Sequence, residues 1–465
     1  MRTFLTLCSL VAIAGNVAAQ LDWNRGPGAW RLPIEAGYAF DESRGQLVVF
    51  GGTLSFQALD VTWLWDGATW TRLALSPAPS ARNRPVMVWD PDRAQIVLFG
   101  GIDANGTFLD DTWTFDGQAW SRLTTRGSPT AAAGSAIAYD PVRREVVVHG
   151  GFTGATQVHG ETWALSGTTW TRRSPVASPG PRAAHRMLWH PDSGEIVLHG
   201  GVDPVRNRTL ADTWTWDGQN WIDRTVANRG PGSLCDQLLV WDAARRRMTH
   251  WGGLRIAGQT QTPLGDVFEF DGRNWNARTT GATVPGPRAF PYGAYVPASQ
   301  AIEVGAGLAG TTTFTDWWQL APVSPARILP VGPGCAGTNG VPGIEHAPGE
   351  LPWLDSTFEL RVTNLPANGP VAMNIGLSDT SWPLGPLPYD LSWLGITGCS
   401  LRTSIELAVG VPRQGSTGRF VGAVCDCPAA LGLSFYLQAV AADPAVNRPL
   451  PVTLSDAVEG VVGAR

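Results

Sequence analysis

The chain has 465 residues, of which 43% are hydrophobic and 16% are charged, a balance typical of globular proteins. Its formal net charge is −5, so it lacks the basic surface that nucleic-acid binding requires, and we expect no nucleic-acid partner. All 34 basic residues are arginine. The absence of lysine excludes a Walker A phosphate loop and any mechanism that uses a lysine Schiff base.

The N-terminus has the pattern of an export signal. Arg2 precedes an apolar run over residues 4–14 that is too short for a stable membrane anchor, and small residues at 17–19 form a cleavage site. We therefore predict a signal peptide over residues 1–19 and a secreted, periplasmic or cell-surface protein. No later run is apolar enough to cross a membrane, so no transmembrane segment is expected after removal of the signal.

A hydrophobic run that ends in a glycine, usually in Gly-Gly, recurs in steps of 49 to 53 residues. The first glycines of the copies are Gly51, Gly100, Gly150, Gly200, Gly252 and Gly305. Each copy predicts four short strands: strand a, a tight turn, strand b before the glycines, strand c with a tryptophan or phenylalanine, and strand d with a final tryptophan. A four-stranded unit of about 50 residues is typical of a propeller blade.

The repeats resemble kelch repeats over roughly residues 22–322. The similarity lies in the Gly-Gly pairs, in Pro181-Arg182 and Pro287-Arg288 before strand a, and in the downstream tryptophans. It implies an all-β fold with a six-bladed β-propeller over residues 20–325, similar to the propeller of galactose oxidase. A fold alone does not define a function.

The sixth copy has no strand d of its own. Residues 29–32 (Ala-Trp-Arg-Leu) match the strand-d segment around Trp70, so we predict that they form the outer strand of blade six and close the ring. The alternative is a seven-bladed propeller that uses part of the C-terminal region.

After a linker over residues 326–335, the periodicity is lost and short alternating strands predict a small antiparallel β-sandwich over residues 336–465. This part resembles a C-terminal module of secreted bacterial proteins. Cys335, Cys399, Cys425 and Cys427 cluster here, and four cysteines allow three pairings. We prefer a Cys335–Cys399 disulfide.

Several repeated residues invite a catalytic interpretation. Six acids begin strand c (Asp60, Asp111, Glu161, Asp212, Asp266 and Asp316), and three arginines precede strand a (Arg82, Arg182 and Arg288). A sialidase-like arginine triad is one possibility, but residues that recur with the repeat usually serve the repeated structure. We predict that the acids cap turns or pair with arginines.

A copper site like that of galactose oxidase needs a Tyr–Cys crosslink and histidine ligands. The propeller region has only Cys235, and His149 and His199 stand where other blades have phenylalanine. We interpret both histidines as packing residues and expect no cofactor, no metal and no catalytic residues.

The loops differ between the copies, and the b–c and d–a loops open on one face of a blade. Residues just before strand a have unrelated chemistry, and we predict a ligand site from Arg84, His185, Asp236, Gln237 and Phe290. The predicted function is an exported, non-catalytic binding or adhesion protein with a polysaccharide or protein ligand. The alternatives are a secreted glycoside hydrolase or oxidase, and a structural component of the cell envelope.

Overall fold

The computed structural model describes residues 5–6, 21–55, 57–154, 156–225, 230–278, 280, 283–322, 326–347, 350–353, 356–394, 396, 398–424, 430, 432–446 and 449–463. The predicted signal peptide lies outside the described residues except for Leu5 and Thr6. Two compact units are present: one spans Leu21–Ala321 and the other contains Pro322–Arg465. Within the described residues both units are built from strands, with a short 3-10 turn at Ser392–Leu394. No helix there is long and apolar enough to cross a membrane.

Six four-stranded sheets carry the repeats of the first unit. Sheets 1 to 5 follow the chain in the order a, b, c and d, as the sequence predicts. Their strands are Gly37–Asp41, Gln46–Phe50, Thr62–Trp65 and Trp70–Leu73 in sheet 1; Val86–Asp90, Gln95–Phe99, Thr112–Phe115 and Trp120–Arg122 in sheet 2; Ala136–Asp140, Glu145–Phe152, Val158–Ser166 and Thr169–Arg173 in sheet 3; Arg186–His190, Glu195–His199, Thr213–Trp216 and Trp221–Asp223 in sheet 4; and Leu238–Asp242, Arg247–Trp251, Val267–Phe270 and Trp275–Arg278 in sheet 5.

Sheet 6 joins the two ends of this unit. Strands a, b and c are Tyr292–Val296, Ala301–Gly305 and Asp316–Pro322, and the strand hydrogen-bonded outside them is Leu21–Ala29. The predicted position of this outer strand, residues 29–32, is therefore wrong: only residue 29 lies in it.

The reason lies in the packing of the tryptophans. Trp23 is 3% exposed and its ring centroid lies 5.1 Å from that of Trp251 in sheet 5. The segment that resembles strand d instead places Leu32 in a hydrophobic cluster with Trp65 and Trp70 of sheet 1.

The inner strands form a continuous set of neighbours. Strand a of each sheet contacts strand a of the next sheet, and strand a of sheet 6 contacts strand a of sheet 1. This arrangement of small antiparallel sheets is consistent with a β-propeller-like fold.

Short strands occupy the b–c and d–a loops. They are Thr53–Leu54 with Gln57–Ala58, Arg82–Asn83 with Ile102–Asp103, Leu308–Ala309 with Thr312–Thr313, and a four-stranded loop sheet of Val202–Asp203, Arg208–Thr209, Leu254–Ala257 and Thr260–Pro263. The loop sheet links the b–c loops of sheets 4 and 5, so this face is more elaborate than the face of the tight a–b turns.

Neighbouring sheets are joined by a repeated hydrogen bond. The indole N–H of the strand-d tryptophan donates to the hydroxyl oxygen of a threonine in strand c of the preceding sheet. The pairs are Trp120 with Thr62 at 2.9 Å, Trp170 with Thr112 at 3.1 Å, Trp221 with Thr162 at 2.9 Å, and Trp275 with Thr213 at 3.0 Å. These bonds explain why the tryptophan and the threonine recur together in the sequence.

We expect Thr112→Val to lower the free energy of unfolding by about 1–2 kcal/mol, because the buried indole N–H of Trp170 loses its acceptor. Valine fits sterically, since Val267 starts strand c in sheet 5. Urea unfolding measures the effect. Thr71→Val, at an exposed position of strand d, is the matched control and should change the free energy by less than about 0.5 kcal/mol. Equal effects of the two substitutions would contradict this role of the hydrogen bond.

The second unit contains two main sheets. One has the strand order Arg327–Gly332, Val452–Val461, Ser434–Ala442, Val371–Gly376 and Leu407–Gly410, and the other contains Leu5–Thr6, Thr417–Val424, Ser356–Val362, Ile344–His346 and Arg413–Gln414. Two-residue strands at Ser381–Trp382, Gly385–Pro386, Tyr389–Asp390 and Ser400–Leu401 form two small hairpins. Both main sheets contribute to one hydrophobic cluster, which includes Phe358 and Phe420 from one sheet and Met373 and Leu437 from the other.

The predicted Cys335–Cys399 disulfide is present in this unit. Its two cysteines lie in a small cluster with Ile396, Leu401 and Leu454. Cys425 and Cys427 lie outside the described residues.

Candidate functional site

One backbone position is repeated in front of strand a in all six sheets. Its residues have a positive φ between 51° and 61°, and they are Glu35, Arg84, Gly134, Ala184, Asp236 and Phe290. The backbone N–H of each residue after Glu35 donates to the carbonyl oxygen of its counterpart in the preceding sheet, at 2.7 to 2.9 Å. We call these six residues the inner ring. Because the hydrogen bonds hold them together, they bring six parts of the chain to one place.

The side chains of the inner ring surround a recess. Its lining includes Glu35, Arg84, Asp236 and Phe290 of the inner ring, together with Tyr38, Arg186 and Tyr292. Three of the five predicted ligand residues, Arg84, Asp236 and Phe290, therefore meet here, although long stretches of sequence separate them.

Arg84 contacts several of the residues that line this recess. Its Nε and Nη2 donate to Glu35 Oε1 at 2.9 and 2.7 Å, and its Nη1 lies 3.3 Å from Asp236 Oδ1. Its guanidinium carbon is 4.9 Å from the ring centroid of Phe290 and 5.7 Å from that of Phe152. One arginine thus contacts residues from four other sheets or their entry loops.

A second arginine lies beside it. Arg186, the first residue of strand a in sheet 4, donates from Nε to the carbonyl oxygen of Gln237 at 2.8 Å. Its guanidinium carbon is 5.3 Å from the ring centroid of Tyr38. The recess therefore contains two cations, two carboxylates and several aromatic faces.

Burial dominates the electrostatics of the recess. It raises the pKa of Asp236, although the positive charges of Arg84 and Arg186 oppose this shift. Burial also raises the pKa of the Tyr38 hydroxyl. For Arg84 burial disfavours the charged form, but Asp236 and Glu35 outweigh it and raise its pKa, so the guanidinium stays charged.

The two other predicted residues do not face the recess. His185 and Gln237 are fully buried and directly follow Ala184 and Asp236 of the inner ring. The Gln237 amide donates to the carbonyl oxygen of His199 at 3.0 Å, and the ring of His185 packs edge-on against His149 at 5.4 Å. Each directly follows an inner-ring residue, but its side chain packs in the interior and does not line the recess.

Sequence reasoning missed other residues of the recess, among them Glu35, Tyr38 and Arg186. Glu35 occupies the same repeat position as Arg84, so an alignment of the first copy with the second would have found it. Tyr38 and Arg186 belong to strands a, and only the arrangement of the sheets shows that they face the recess.

The three repeated arginines and four of the six repeated acids have structural contacts, whereas Asp60 and Asp266 are exposed. Arg82 pairs with Asp111, Arg182 with Asp212 and Arg288 with Asp316, each through two hydrogen bonds. Each arginine also donates to a carbonyl oxygen, of Gly100, Gly200 and Ala306 respectively. The acid partners additionally accept from Trp113, Trp214 and Trp318 at 2.7 Å. Glu161 instead pairs with the exposed Arg172. Such contacts hold the d–a loop against strand c.

The histidines of strand b are packed in the interior. His149 and His199 are buried and lie within 3.0 Å of the hydroxyl oxygens of Thr162 and Thr213. Among the described residues, no group of three or more histidine, cysteine, aspartate or glutamate side chains is placed to hold a metal ion.

The fold and the recess define an all-β, propeller-like chain with a polar and aromatic recess at one inner face. No family model matches the sequence, and no curated protein matches it. Among solved structures, that of YjhT is similar over 63% of this chain and 95% of its own length, with 13% identity and a TM-score of 0.47.

Proposed function

We propose that the chain is an exported, non-catalytic binding or adhesion protein built on a six-bladed, kelch-like β-propeller. In this proposal Leu21–Ala29 closes the ring as the outer strand of blade six, and the recess of the inner ring receives a carbohydrate or protein ligand. The pairing of Leu21–Ala29 with Asp316–Pro322 supports the closure.

The contrast between backbone and side chains at the inner ring carries the proposal. The backbone is the same in all six sheets, whereas the side chains are Glu, Arg, none, Ala, Asp and Phe. A left-handed backbone favours glycine, which only Gly134 supplies here. Since the fold does not demand these side chains, a ligand is the physical reason we favour for their variety.

Binding fits the recess better than hydrolysis. Glu35 and Asp236 are the carboxylates of the lining, and a glycosidase would need one as an acid and the other as a free base or nucleophile. Here both lie against the guanidinium of Arg84. A carboxylate that accepts two contacts from a permanent cation, as Glu35 does, is poorly placed to act as the free base or nucleophile.

The test is a binding screen of the mature full-length chain on panels of polysaccharides, glycans and proteins. We expect at least one specific ligand, whose affinity falls tenfold or more on Phe290→Ala or Asp236→Asn. Asparagine tolerates a positive φ, so Asp236→Asn should retain the fold. Val142→Ala, in an exposed a–b turn at the opposite end of the strands, is the control and should bind like the wild type.

Two results would contradict the proposal. Ligands that bind equally well to Phe290→Ala and to Asp236→Asn would place binding elsewhere. Panels without any ligand would favour the structural envelope role, and turnover of a bound glycan would favour the hydrolase.

A further inference from the structure

The guanidinium of Arg84 has the surroundings of a bound cation. Two carboxylates, Glu35 and Asp236, contact its nitrogens, and the rings of Phe290 and Phe152 lie within 6 Å of its carbon. Carboxylates and aromatic faces are the groups that proteins use to recognise guanidinium and ammonium ligands. All four groups come from parts of the chain other than the d–a loop that carries Arg84.

Arg84 differs from the repeated arginines in its exposure, in its acidic partners and in its absence from the other copies of the repeat. Arg82 is two residues earlier, is fully buried and binds an acid of its own sheet, as do its counterparts in sheets 4 and 6. Arg84 has no arginine counterpart in any other sheet. It contacts acids from the entry loops of sheets 1 and 5, so its ion pairs are not part of the repeat.

Arg84 and its two carboxylate partners are partly accessible to solvent. The side chains of Arg84 and Glu35 are 22% and 24% exposed, and that of Asp236 is 10% exposed. The backbone hydrogen bonds of the inner ring do not involve the Arg84 side chain. A guanidinium from outside can therefore replace that of Arg84 without breaking the ring or changing the charge of the recess.

We propose that the recess is a receptor for an arginine side chain of a protein partner, and that Arg84 occupies the position of this ligand while the partner is absent. The proposal rests on the proposed function, because it names the ligand class of the same recess. The incoming guanidinium would bind Glu35 and Asp236 between the two phenyl rings, and Arg84 would move into solvent. We choose arginine over an amino sugar because the present occupant is itself a planar guanidinium, whose donors match carboxylates.

The experiment uses Arg84→Ala in the full-length chain, with N-acetyl-arginine amide as the probe in calorimetric titrations. Ala184 has the same backbone conformation in the inner ring, so alanine fits this position. We expect the variant to bind the probe at least tenfold more tightly than the wild type, since the built-in competitor is gone. Arg72→Ala, at an exposed position of strand d in sheet 1, is the control and should bind like the wild type.

Two further arms test the chemistry of the site. N-acetyl-citrulline amide has the shape of the probe without its charge and should not bind to Arg84→Ala. The double variant Arg84→Ala/Glu35→Gln should lose the gain in affinity, because it removes the main carboxylate.

Arg84→Ala that binds the probe no better than the wild type would overturn the inference. Equal binding of the citrulline analogue, or tighter binding of glucosamine than of the arginine probe, would also overturn it. In each case, the proposed function would still be supported if the binding of a ligand from the panels depended on Phe290 and Asp236. If the panels contain no such ligand, the results contradict both the proposed function and this inference.

Discussion

Arg288→Ala is expected to lower the free energy of unfolding of the propeller-like unit by about 3–5 kcal/mol. Arg288 is fully buried, and it donates to both carboxylate oxygens of Asp316 at 2.6 and 3.1 Å and to the carbonyl oxygen of Ala306 at 3.1 Å. Its guanidinium carbon lies 3.7 Å from the ring centroid of Phe314. Removal leaves a partly buried carboxylate and a buried carbonyl without their cation, and breaking such a pair is costly because its partners cannot return to water.

Urea unfolding followed by tryptophan fluorescence measures this effect. The matched control is Arg172→Ala, because Arg172 also pairs with a strand-c acid, Glu161, but its side chain is 60% exposed. Exposed ion pairs contribute little, so the control should lose less than about 1 kcal/mol. If both variants lost a similar free energy of unfolding, the stabilising effect of Arg288 would not depend on its burial.

The second large effect is a loss of stability in mild acid. His149, His185, His199 and His250 are buried in sheets 3 to 5 and the loops between them. Burial lowers the pKa of His149 and His250 to about 3 and that of His199 to about 4. For His185 it holds the pKa well below its usual value. The four histidines therefore stay neutral in the folded chain but take up protons in the unfolded chain below pH of about 6.5.

The unfolded state binds more protons in this range, so the free energy of unfolding falls as the pH falls from about 6.5 towards 4. Each buried histidine should remove about 2 kcal/mol between pH 7 and pH 5, an order-of-magnitude figure from the linkage relation. Above pH of about 7 these histidines contribute no slope. Urea unfolding at pH 7.5, 6 and 5 measures the dependence.

The repeat itself offers the matched variant. Phe50 and Phe99 stand in sheets 1 and 2 where His149 and His199 stand in sheets 3 and 4, and all four rings pack against a strand-d tryptophan. The double variant His149→Phe/His199→Phe should therefore fold and lose less stability at pH 5 than the wild type. His346→Gln, at an exposed position of the second unit, should leave the slope unchanged. The account of the acid sensitivity fails if the double variant and the wild type lose the same stability.

Local patterns predict much of the repeated structure. The Gly-Gly pairs mark the ends of strands b, and the pairing of Arg182 with Asp212 follows from their positions in the repeat. These predictions succeed because the same short-range contacts occur several times in one chain. The outer strand of sheet 6 is different, because its position depends on the packing of Trp23 against Trp251 of sheet 5, which lies more than 200 residues away in the sequence. Similarity between short sequence segments does not reveal such a long-range contact.

The residues of the recess also could be predicted only in part from the sequence. The variety of side chains before strand a points to Arg84 and Asp236, but their contact joins residues 152 positions apart. Gln237 appears equally variable in the sequence, yet its amide points inward to the backbone of His199. Only the arrangement of the sheets separates the residues that face the recess from those that support it.

The location of the bound ligand tests the central claim most directly. The measurement is a crystal structure of the full-length chain with the tightest ligand from the binding panels. The account predicts that the ligand lies in the recess of the inner ring, in contact with Phe290 and Asp236, with Arg84 displaced where the ligand carries a guanidinium. A ligand bound at the a–b turns or on the second unit, with the recess unchanged, would contradict it.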